Sequence, residues 1–328
     1  MVTILLLSGL AVLPVLIFVL GPRPKLDPSA PKSRVPEELS LAETARWVDE
    51  EEKKIHNLTP GAEATIQWAN PANPAKTETC FLYIHGFSAT RQETAPVTEL
   101  LAEKHGSNAF HARLEGHGVG ADGMLTESEL WLQSMVDAWS VASTLGDKVV
   151  IVATSTGAPL AIWLAHQEQV KGKIHALLFM SPNFRIRNPL GFLLTWPWAK
   201  HWIRLVIGKE IKLQSENDDA ALYWTSTYSS LALIEMQKLV DWVARVDLSR
   251  HEIPLATMYM RNDSTISPKA VVNCHNKWGA SQKKLIPVEL DGDAEEHVFV
   301  GHITAPSRID WCVNEFNKFL ESLKKEQK

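Results

Sequence analysis

Cysteine is scarce: Cys80, Cys274 and Cys312 are the only three in 328 residues. They are widely spaced and form no C-x-x-C pair, so the sequence offers neither the ligand pairs of a structural zinc site nor a thioredoxin-like motif. Basic charge is not in excess either. The 33 Lys and Arg stand against 38 Asp and Glu, a formal net charge of −5, so there is no electrostatic case for a nucleic-acid partner. No H-E-x-x-H pattern occurs, and the segment around His111 and His117, with His85 upstream, matches no zinc-hydrolase spacing; no metal is expected. Internal repeats are absent. Tyrosine is rare, four residues against twelve tryptophans, which makes the tryptophans worth locating.

Charge is also missing from residues 2–20, which are dense in Leu, Val and Ile. At about 1.5 Å per residue such a run nearly crosses a hydrocarbon core of about 30 Å. It lacks the basic start and small-x-small end of a cleaved signal. The expectation is a retained N-terminal transmembrane anchor, or an uncleaved signal-like segment, over residues 1–21, a membrane-anchored localisation, and a membrane partner through that segment. Arg23, Lys25, Lys32 and Arg34 would hold their side in the cytoplasm, but the side is left open. Five prolines then mark residues 22–36 as an extended linker.

Beyond it, apolar runs of strand length at residues 65–68, 80–84, 109–114, 149–153, 176–180, 255–260 and 285–290 alternate with helical periodicity. This pattern implies an α/β fold whose mostly parallel central sheet is flanked by helices on both faces. Between Pro182 and Ile253 no strand-like run occurs, which predicts a helical cap inserted before the late strands. The division is then residues 37–182 and 254–328 for the core and 183–253 for the cap.

The apolar run 149–153 enters Thr154-Ser155-Thr156-Gly157 and leaves into a helical pattern, the strand–turn–helix context of a nucleophile elbow. Serine is a weak nucleophile unless an imidazole, oriented by a carboxylate, takes its proton. Asp263 follows a late strand, and His297 follows the last one, with His302 the alternative base. His85-Gly86-Phe87-Ser88 follows the run 80–84; the backbone N–H groups of Phe87 and Thr156 are the expected oxyanion donors.

With Arg113-Leu114-Glu115-Gly116-His117-Gly118 and Ser267-Pro268 added, these pieces resemble α/β-hydrolases of the monoglyceride lipase, lysophospholipase and carboxylesterase branch. Ala153 in the elbow and Glu115 are departures that remove no catalytic group. The resemblance implies a serine esterase or lipase that needs no cofactor. It acts on a small-molecule ester or lipid through an acyl-enzyme on Ser155, with His297 as base and Asp263 as its orienting acid.

Trp196, Trp198 and Trp202 in the cap are expected to bind substrate or to pack the cap. An aminopeptidase or thioesterase on the same triad stays open, with Glu216, Asp218 and Asp219 as possible amine anchors. A catalytically silent binding protein of the same fold is the remaining alternative.

Overall fold

The computed structural model describes residues 16–290, 292–293 and 296–326. Five strands come first: β1 (Thr65–Gln67), β2 (Thr77–Ile84), β3 (Asn108–His111), β4 (Gly146–Thr154) and β5 (Ile174–Met180). A small pair, β6 (Glu210–Lys212) and β7 (Thr227–Ser229), precedes β8 (Leu255–Met260) and β9 (Lys283–Val288). All but β6 and β7 join one seven-stranded sheet in the order β1-β3-β2-β4-β5-β8-β9. Only β1 runs antiparallel to its neighbour. The mostly parallel, helix-flanked sheet expected from the alternating pattern is present.

Successive side chains of a strand face opposite sides, so a strand covered on both sides reads as an unbroken apolar run. In β4, Val149, Ile151 and Ala153 join one core cluster while Val150 and Val152 join the other. The first face is covered by α1 (Leu41–Lys53), α3 (Ser128–Leu145) and α4 (Gly157–Ala165). Ser40 caps α1 by accepting the Glu43 N–H, and the Glu43 carboxylate accepts the Ser40 N–H in return. The opposite face carries α2 (Val97–Lys104) and the C-terminal helix at residues 309–326. That last helix buries Ile309, Cys312, Val313, Phe316, Phe319, Leu320 and Leu323 along one stripe. Each large apolar side chain so buried contributes about 1.5–3 kcal/mol.

Between β5 and β8 lie α5 (Ala199–Ile207), α6 (Asp218–Tyr223) and α7 (Ala232–Val243). The cap is not wholly helical, contrary to expectation: β6 and β7 pair antiparallel within it, Glu210 opposite Ser229 and Lys212 opposite Thr227. Strands of three residues are too short to display a two-residue period. After β8 comes α8 (Pro268–Lys277), and the C-terminal helix (Ile309–Glu326) is α9.

The N-terminal expectation needs correction. Among the described residues no helix is long and apolar enough to cross a membrane, which removes the support for a transmembrane anchor and for a membrane-anchored localisation. Most of the predicted span, residues 1–15, lies outside the described residues. Its described end, helical at residues 16–19, finds partners on the cap instead. Phe18 meets the Trp196 ring edge-on at 6.1 Å, and the Trp198 indole N–H donates to the Ile17 carbonyl at 3.3 Å.

The proline-rich stretch that follows lies along α3 and α4. Leu26 and Val35 join the core, Trp163 Nε1 donates to the Pro28 carbonyl at 2.9 Å, and the Arg34 guanidinium meets Asp137 at 2.7 Å.

Candidate active site

Ser155 stands where β4 turns into α4, with φ at +49°. A non-glycine residue there costs about 1–3 kcal/mol and persists only where its surroundings fix it. They do: the Ser155 N–H donates to the Met180 carbonyl at 3.0 Å, and its carbonyl accepts the Asn183 N–H at 2.9 Å. The next turn demands a glycine. A Cβ on Gly157 would lie 2.3 Å from the Ile84 carbonyl oxygen and 2.8 Å from that of His85, both backbone atoms. Gly157→Ala is therefore expected to cost about 2–3 kcal/mol through overpacking, read in urea or thermal unfolding. A midpoint equal to that of the native protein would contradict this packing.

The bend aims Ser155 Oγ at His297, whose Nε2 lies 3.0 Å away, and His297 Nδ1 is 2.8 Å from Asp263 Oδ2. Asp263 is wholly buried, and its other oxygen accepts the N–H groups of Thr265 and Ile266 at 2.9 and 2.8 Å. An ionised carboxylate only accepts, so Nδ1 carries the proton and the Nε2 lone pair faces the serine hydroxyl. Ser181 Oγ donates to the His297 carbonyl at 2.7 Å, and Arg187 Nη1 donates to that of Asp263 at 2.5 Å. His302, the alternative base, is exposed, and its N–H bonds to the Ala95 carbonyl.

The loop after β2 is held from below by two neutral histidines. His85 is fully buried, and desolvation lowers its pKa to about 4. Its Nδ1 donates to the Gly86 carbonyl at 2.9 Å, and its Nε2 accepts the Leu114 N–H at 3.1 Å. His117 packs beside it with its ring tilted at 56° and centroids 5.0 Å apart, its Nδ1 on the Glu115 carbonyl, and burial holds it well below its usual value. These bonds tie the loop to the Arg113–Gly118 segment, where Arg113 pairs with Glu52 at 2.8 Å. His111 sits on β3, 3.8 Å from Glu99.

Ser155 and His297 line a cavity of about 810 Å³ together with Phe87 and Thr156. Its apolar wall comes from the cap, chiefly Leu194, Trp224, Tyr228, Leu233 and Met236. Trp196, Trp198 and Trp202 are not among the described residues lining it. Trp196 packs on Phe18 and Phe192, Trp198 on the N-terminal segment, and Trp202 Nε1 donates to the Pro197 carbonyl. Of the three predicted acidic anchors, Glu216 reaches the lining and Asp218 and Asp219 do not.

Sequence reasoning missed Asn183, Leu233, Met236 and Glu93, all on the cavity. The i, i+3 spacing of Leu233 and Met236 on α7 was the one available signal.

Sheet order, elbow, late acid and late histidine together define the α/β-hydrolase fold. No protein-family model and no curated protein sequence matches the chain. Solved structures do. A metagenome-derived lipolytic enzyme superposes with a TM-score of 0.58 at 17% identity, covering 81% of this chain and 99% of its own. A monoacylglycerol lipase from Paleococcus ferrophilus gives 0.57 at 15%, covering 79% and 98%. A soluble variant of the Saccharomyces cerevisiae monoglyceride lipase, in complex with a substrate analogue, gives 0.56 at 13%, covering 79% and 91%. At such identities the likeness establishes the fold, and function has to be argued from the site.

Proposed function

We propose that the protein is a serine hydrolase that cleaves carboxylic esters bearing an acyl chain. One observation carries this reading: the Ser155–His297–Asp263 hydrogen-bonded chain opens on a large cavity with an apolar wall. His297 Nε2 takes the hydroxyl proton as Ser155 Oγ bonds to the ester carbon. Asp263 stabilises the imidazolium that forms. The N–H groups of Phe87 and Thr156 receive the oxyanion, each such donor being worth about 2.7–4 kcal/mol in the transition state. His297 then returns the proton to the departing alcohol, and water releases the acid by the same steps in reverse order.

The test is hydrolysis of a p-nitrophenyl ester series from two to sixteen carbons. Rates rising toward medium or long chains support an acyl-chain esterase; a steady fall from acetate onward would remove the acyl-chain part of the reading. Leu233→Trp narrows the wall. Excluding two methylenes at about 0.8 kcal/mol each should lower kcat/KM for the long esters roughly fifteen-fold relative to butyrate. An unchanged chain-length profile would mean that the acyl group lies elsewhere.

A further inference from the structure

A buried carboxyl beside the nucleophile has no part in the steps above. Glu93 lies on the short 3-10 turn Arg91–Thr94 that follows the His85–Ser88 loop, and it is 2% exposed. Its Oε2 accepts the Gly86 N–H at 2.7 Å and the Tyr83 hydroxyl at 3.3 Å. The Tyr83 hydroxyl in turn accepts from Thr94 Oγ1 at 2.9 Å and lies 3.3 Å from Thr154 Oγ1, the residue preceding Ser155. A polar chain thus joins the oxyanion loop to the nucleophile strand. The fit is tight: a Cβ on Gly86 would stand 2.7 Å from Glu93 Oε1 and 3.1 Å from Ser155 Cβ. Glu93 also lines the cavity with Ser155 and His297.

We infer that Glu93 is a positioning residue of the reaction proposed above, its buried carboxyl holding Gly86, and through it the Phe87 N–H, in place beside Ser155. The inference rests on that reading of the function. Burial pushes the carboxyl up to about 7, opposed by the Gly86 N–H, by the imidazolium that His297 becomes during reaction, and by the Tyr83 hydroxyl. The titratable groups facing it are Tyr83 from β2 and His297 from the loop after β9; Thr94 and Thr154 present neutral hydroxyls.

The neutral form is the working form, because a carboxylate on the loop side of Ser155 opposes the negative charge that develops there. Stability follows the same sign. An unfolded chain ionises this group near its ordinary 4.5, so its favourable contribution is complete below that pH and is lost as pH rises through about 7.

The test is the rate at which a fluorophosphonate labels Ser155, read by intact mass, from pH 5.5 to 9 in the full chain and two variants. Glu93→Ala removes the acceptor and is expected to slow labelling about 30- to 100-fold, a loss of the size seen when one oxyanion donor is weakened. Glu93→Gln keeps an acceptor that cannot ionise. It should recover most of that loss at pH 6, exceed the native rate about ten-fold at pH 8.5, and unfold at a higher temperature there. Glu93→Ala labelling within three-fold of native, or Glu93→Gln with the native pH profile, would overturn the inference and leave the hydrolase reading intact. No labelling of the native chain would remove both. Should Glu93→Ala not fold, the profile of Glu93→Gln decides alone.

Discussion

Replacing Ser155 with alanine is expected to lower kcat for ester hydrolysis by about four to six orders of magnitude, without unfolding the protein. Among the described residues the Ser155 side chain has one hydrogen-bond partner, His297 Nε2, and that ring is 16% exposed, so its loss strands no fully buried group. The backbone bonds that hold the bend, to Met180 and Asn183, do not involve the hydroxyl. The cavity wall is untouched, so binding of a substrate analogue should change little. The residual rate would come from the Phe87 and Thr156 N–H groups acting on a bound ester attacked by water. Steady-state kinetics on p-nitrophenyl octanoate, with a thermal midpoint recorded beside it, checks both halves. Activity within ten-fold of native would move the nucleophile to another residue.

Asp263→Asn should produce the second largest loss, about 10⁴-fold in kcat, or about 5.4 kcal/mol of transition-state stabilisation. The geometry gives the reason. The remaining carbonyl oxygen of asparagine can still accept the Thr265 and Ile266 N–H groups, so the loop stays ordered. The amide NH₂ then faces His297 Nδ1 where Asp263 Oδ2 accepted a proton at 2.8 Å. The imidazole must turn its lone pair to Nδ1 and carry its proton on Nε2, where it can no longer take one from Ser155. His302→Ala, remote from the triad by the hydrogen bonds described, is the control, with a rate close to native. Equal losses at His297 and His302, or a mild effect at Asp263, would contradict the assignment of base and acid.

Much of this site could be read from residue order. Strands β2, β4, β5 and β8 announce themselves because both faces are buried, which leaves runs such as Val149-Val150-Ile151-Val152 without polar interruption. Ser155, Asp263 and His297 stand out because each follows the end of a strand, where a parallel sheet delivers its loops to one edge. From sequence His297 is the preferred base and His302, on the same loop, the alternative; in the structure His297 Nε2 faces Ser155 Oγ, and Val298, Phe299 and Val300 after it are buried.

Other features depend on contacts distant in sequence. Trp196, Trp198 and Trp202 carry the composition of an acyl-binding wall, yet they bond to the N-terminal segment and to the cap itself. The apolar run at residues 16–20 carries the composition of a membrane span; Phe18 and Ile17 meet Trp196 and Trp198, while the run itself stays exposed. Composition reports that an apolar surface needs cover; it does not say what covers it. Glu93 gave no signal at all, because a glutamate five residues after the loop serine Ser88 looks solvated until the sheet closes over it.

The most direct test is capture of the acyl-enzyme. The protein is mixed with p-nitrophenyl octanoate, quenched in acid within milliseconds, digested and read by mass spectrometry. The account predicts an octanoyl adduct on the peptide containing Ser155, formed in step with a burst of p-nitrophenol and absent from Ser155→Ala. Turnover with no adduct, or with the adduct on another residue, would contradict it.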